Sequence, residues 1–112
     1  MRYYAEALRL ASETGAWESR IEALSGLANL ASRAGEHHLA ARWLGLIAHW
    51  RASTELFEEA HILEWERETI ADLRSALGDE AFETLWAEGQ ELSLETAAAA
   101  ALSFAAQAVY AI

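Results

Sequence analysis

Glu58 and His61 stand three residues apart on a helical stretch, close enough for a carboxylate and an imidazole to share one helix face. Carboxylate-bridged di-iron bundles use such Glu-x-x-His pairs two at a time, with two further glutamates on facing helices. One pair is present, so no metal site is expected. The chain has no cysteine, which removes thiolate zinc sites, cysteine nucleophiles and a disulfide framework. His37 and His38 adjoin Gly35, where a turn would expose them, and His49 is expected at a partly buried helix edge. Glu55, Glu58, Glu59, Glu64, Glu66 and Glu68 crowd one segment and could draw a basic partner. The plainer expectation is a solvated helix face. Acid/base catalysis needs two carboxylates in different environments around a cleft, which spacing alone does not supply. No catalytic or cofactor-binding residue is therefore assigned, and no enzyme is expected.

Aromatic residues offer binding of another kind. Trp17, Trp43 and Trp86 fall on apolar helical stripes and belong in a core. Trp50 and Trp65 are expected to be partly exposed, where aromatic side chains anchor interfaces. Phe104 and Tyr110 lie off the main stripe of the last helix. These four, Trp50, Trp65, Phe104 and Tyr110, are the candidate interaction residues.

The elements that carry them are helices throughout. Apolar residues recur at steps of three and four almost everywhere, and strand alternation is nearly absent. A first helix is expected over 3–14 and a second from Trp17, lined by Ile21, Leu24, Ala28 and Ala31 and ended by Gly35. A third covers about 36–52, with Leu39, Trp43, Leu46, Ile47 and Trp50. Ser53 and Thr54 offer caps for a long fourth helix to Leu77, lined by Leu56, Ala60, Leu63, Ile70, Leu73 and Leu77. The stretch ALGDEAFETLWAEGQELSLETA, 76–97, holds two stop-and-restart signals: Gly78 with Asp79, and Gly89 with Ser93. It predicts a short fifth helix over 80–88 and a sixth from Leu94. Leu24, Leu27, Leu44 and Ile47 are expected to form a core shared by the second and third helices.

Composition agrees with one all-α domain. The 112 residues are 54% hydrophobic, with no proline and six glycines. Eight arginines and no lysines face eighteen carboxylates, a net charge of −10. Such a surface repels phosphate backbones, so direct binding to nucleic acid or an anionic membrane is not expected. The alanine-rich end, 97–112, is too short and weakly apolar to span a bilayer. A cytoplasmic setting is expected.

Two-residue turns between the first helices force antiparallel hairpins, and hairpins invite a search for repeats. At a period of 33, Ala7 pairs with Ala40, Arg9 with Arg42, Leu10 with Trp43 and Ala11 with Leu44. ALSGLANLASRAGEHHLAARWLGLI, 23–47, resembles one tetratricopeptide repeat, although the usual tryptophan, tyrosine and terminal proline are missing. AARWLG (40–45), ALGDEAF (76–82), WAEG (86–89) and LSLETA (92–97) occur in an order that resembles the end of the tetratricopeptide region of bacterial LuxR-type and related ATPase-containing transcriptional regulators. The loop before the long helix lacks the proline usual in that family, and no threonine-proline-arginine-glutamate opening of a helix-turn-helix follows Ile112.

The resemblance implies a solenoid of antiparallel hairpins over about 1–52, a long helix over 53–78 and capping helices over 79–112. It also implies a signal-receiving or protein-interaction domain, expected to be an excised piece of a larger regulator. The alternative is a self-associating helical module. The helix at 97–112 is apolar around its circumference apart from Ser103 and Gln107, so a homodimer through it is expected.

Overall fold

The computed structural model describes residues 2–54 and 64–110. Six helices are described: α1 (Arg2–Thr14), α2 (Trp17–Arg33), α3 (His37–Thr54), α4 (Glu64–Leu77), α5 (Asp79–Gln90) and α6 (Leu94–Tyr110). No strand occurs among the described residues, and none of their helices is long and apolar enough to cross a membrane. Ser53 and Thr54 fall within α3, and the segment that they are expected to cap, 55–63, lies outside the described residues. Of the long-helix stripe, Leu56, Ala60 and Leu63 lie outside the described residues.

Glycine sets the first turns. Gly35 has φ of +88°, which costs a side-chain-bearing residue free energy but glycine little. That conformation lets the Glu36 amide donate back to the Ala31 carbonyl at 2.8 Å, the six-to-one bond that closes a helix end. The same bond joins the Ala16 amide to the Ala11 carbonyl at 3.1 Å after α1. Gly78, with φ of +87°, is itself the residue before α5, and no side chain caps that helix. Asp79 is therefore the first helical residue and not the expected cap. Its carboxylate instead accepts from Arg74 at 3.3 Å. Ser93 does cap α6: its Oγ accepts from the Thr96 amide at 3.1 Å.

Gly89 corrects the expectation more sharply. It lies inside α5 and is buried, so it ends nothing. Its role is to let α5 cross α3 at backbone contact. A Cβ on Gly89 would collide with the Arg42 carbonyl, and a Cβ on Gly45 would collide with the Trp86 carbonyl. Each helix thus offers a glycine to the other's backbone. Arg42 Nε donates to Glu88 at 3.0 Å beside the crossing.

Leu24, Leu27, Leu44 and Ile47 are all buried in one cluster with Leu8, Trp43, Leu73 and Phe82, as the α2–α3 core requires. Leu10 and Trp43 are not equivalent despite the 33-residue pairing: Leu10 is 50% exposed and Trp43 is 1% exposed. α5 lies against α3 and α4, with Phe82 and Leu85 buried. α6 turns back onto α1 and α2 through Leu94, Ala97, Ala98, Ala101 and Ala105. The end of the chain therefore closes over its beginning. The radius of gyration, 13.1 Å, matches the roughly 13 Å of a compact domain of this size.

Candidate functional site

Three helices position the site. α4 sends Glu66 and Thr69, three residues apart on one face, toward Ser25 and Asn29, four apart on α2. The Thr69 hydroxyl donates to Asn29 Oδ1 at 2.9 Å, and the Ser25 hydroxyl donates to Glu66 Oε2 at 2.6 Å. From α3, Arg51 meets the same carboxylate as a two-pronged fork, Nη1 to Oε1 at 2.5 Å and Nη2 to Oε2 at 2.9 Å. The Glu66 side chain is 4% exposed and that of Arg51 17%. Parallel N–H···O bonds from a guanidinium are the geometry that best compensates a desolvated carboxylate. One charged group thus ties α2, α3 and α4 together.

Beside this pair lies an apolar cavity of about 240 Å³. Leu44, Ile47, Ala48 and Ala52 of α3, Ile70 of α4 and Trp86 of α5 line it, with Arg51 and Glu66 as its charged members. Small residues at 48 and 52 leave room where larger ones would fill the gap between α3, α4 and α5. A wider depression around His38, Leu77, Gly78, Asp79 and Leu85 is open to solvent. It holds no comparable enclosure.

Of the four candidate interaction residues, Trp50 and Phe104 have described side chains. Trp50 is half-buried and stacks on Trp17, ring centroids 5.5 Å apart and planes 32° apart. Phe104 is half-buried edge-on against Trp43, with centroids 6.0 Å apart. Both contact a tryptophan of another helix and remain partly exposed. The side chains of Trp65 and Tyr110 lie outside the described residues, as do Glu58 and His61. His38 and His49 are exposed and His37 half-buried, so His49 is more open than its neighbours Ala48 and Trp50 suggested. Of the carboxylate cluster, Glu64 and Glu68 are exposed, Glu66 is buried, and Glu55 and Glu59 lie outside the description. Placing Glu66 on the solvated face was wrong. Its position four before Ile70 and seven before Leu73 puts it on the buried stripe of α4, and that spacing was the available signal.

With the geometry in place, comparison with known proteins adds a direction. The chain is 34% identical over 96 residues to proteins named HTH-type transcriptional regulators in Mycobacterium bovis and in two Mycobacterium tuberculosis strains. The match covers 83% of this chain and 10% of each relative. The chain is related to a segment of such regulators. It spans about a tenth of the length of these curated relatives. No family model matches the chain, and no solved structure matches it.

Proposed function

We propose that this chain is a non-enzymatic, signal-receiving helical domain of a bacterial transcriptional regulator, built from tetratricopeptide-like hairpins of the LuxR-type, ATPase-containing kind. The observation that carries the proposal is the 34% identity, across 83% of the chain, to proteins named as HTH-type regulators and about ten times as long. The hairpin α2–α3 with α4 and α5 packed on it supports the repeat-like arrangement. The net charge of −10 supports leaving DNA contact to other parts of a regulator, with this segment cytoplasmic and bound to a protein or small effector.

The test is a chimera. This chain replaces the aligned segment of one mycobacterial relative, and genome-wide transcription is compared with the parent and with a deletion of that segment. Restored transcription in the chimera, with no duplex DNA bound by this chain alone in a gel shift, is expected. A salt-sensitive shift of duplex DNA by this chain, or a deletion that changes no transcript, would overturn the proposal.

A second reading, self-association, is favoured by Tyr3 and Leu10, which stand seven residues apart on one face of α1 and are 76% and 50% exposed. In α6, Phe104 packs on Trp43, and among the described residues from Ala97 onward Ala99, Ala100, Ser103, Ala106 and Gln107 are exposed.

A further inference from the structure

We propose that the cavity between α3, α4 and α5 binds a small, uncharged ring compound of about ten non-hydrogen atoms. The inference gives the signal-receiving proposal a ligand class and draws its biological purpose from that proposal. The binding itself stands on geometry.

Size sets the first limit. An apolar protein cavity of roughly 150 Å³ stays dry and accepts benzene. The space here, about 240 Å³, is larger by about the volume of a second fused ring. It falls below the roughly 300–1,000 Å³ of pockets for drug-sized ligands, so the space suits a smaller molecule.

Chemistry sets the second limit. Leu44, Ile47, Ala48, Ile70 and the Trp86 indole provide apolar walls that favour a hydrophobic ring. The two charged lining residues already neutralise each other through the paired hydrogen bonds of Arg51 and Glu66. A charged ligand would find no uncompensated partner and would lose its hydration on entry. Water that a ring displaces there leaves walls that offer it few polar partners.

Rigid surroundings supply the third support. The α3–α5 crossing at Gly45 and Gly89 and the Glu66 pairing hold the walls from opposite sides. A preformed site avoids much of the ordering cost that weakens binding.

The experiment uses the whole chain, labelled with ¹⁵N, and two probes, indole and indole-3-acetate. Indole is expected to shift the amides of Ala48, Ala52 and Ile70 saturably, leaving α1 and α6 unmoved. Indole-3-acetate is expected to bind at least about a hundredfold more weakly, because its carboxylate must be desolvated. Ala48→Leu, or Ala48→Val should leucine prevent folding, is expected to fill the space, abolish the indole response and keep the native spectrum elsewhere. Absence of saturable shifts at the cavity in the native chain would overturn the proposal. So would equal binding of the two indoles, or an indole response unchanged by the filled variant. None of these readings involves transcription, so failure here leaves the regulator proposal intact, and a failed chimera leaves a measured indole affinity intact.

Discussion

At the residue scale, Glu66 shows how burial changes what a side chain means. A carboxylate beside Glu64 and Glu68 reads as one more surface charge, yet it is 3% exposed and bonded to Arg51 and Ser25. Removing one partner leaves the other charge buried alone, at a cost of about 3–5 kcal/mol. Arg51→Met is therefore expected to lower the urea unfolding free energy by that order. The double variant Arg51→Met with Glu66→Met should lose less than the two single losses added. Strict additivity in that cycle would show that the two side chains do not act as a pair. Leu27 and Leu44 make a simpler case, at 0% and 2% exposure. Replacing either with alanine should cost about 2–5 kcal/mol, and unchanged thermal melting would place them outside the core.

At the scale of elements, the glycines in AARWLG and WAEG have a physical account. In an exposed helix interior, exchanging glycine for alanine gains about 1 kcal/mol. At Gly45 and Gly89 the sign should reverse, because the new methyl meets the backbone of the facing helix. Overpacking of this kind costs about 1–3 kcal/mol, so Gly45→Ala and Gly89→Ala should both melt earlier than the native chain. A rise in melting temperature would show that α3 and α5 do not touch there. Helix starts give a paired contrast. Ser93→Ala removes the cap bond to the Thr96 amide and should cost about 0.5–2 kcal/mol. Asp79→Ala removes only a first-turn charge and a pair with Arg74 whose Asp79 side chain is 83% exposed, so circular-dichroism melts should show a smaller loss.

For the whole molecule, the decisive feature is that α6 returns to α1 and α2. Stacked hairpins touch their neighbours in order, and α6 adds contacts beyond that order. Here the two ends of the chain share one core, reinforced by Arg20, which reaches Glu95 at 3.8 Å from α2 to α6. Unfolding is accordingly expected to be a single cooperative transition, with tryptophan fluorescence and circular dichroism superimposing. Separate transitions by the two probes would point to independent hairpins. Sedimentation at micromolar concentration examines self-association. If a dimer forms through α1, Leu10→Glu should dissociate it, and a clean monomer in the native chain would remove that reading.

Local chemistry in the sequence was enough for the helices, most of their limits and the α2–α3 core. Apolar spacing shows which face a helix must bury, and Gly15, Gly35 and Ser93 act on backbone groups within five residues of themselves. What lies across a helix face is a different kind of information. Gly89 looks like a stop signal because only the approach of Arg42, distant in sequence, makes its missing side chain necessary. Glu66 looks like a surface charge because its partners come from α2 and α3. Trp50 and Phe104 meet Trp17 and Trp43 from other helices, pairings that helical spacing alone does not show. The cavity belongs wholly to this second kind, since it is a property of how the described residues of α3, α4 and α5 pack against one another. Sequence period determines which surfaces seek burial; only tertiary packing determines what they meet and what space they leave.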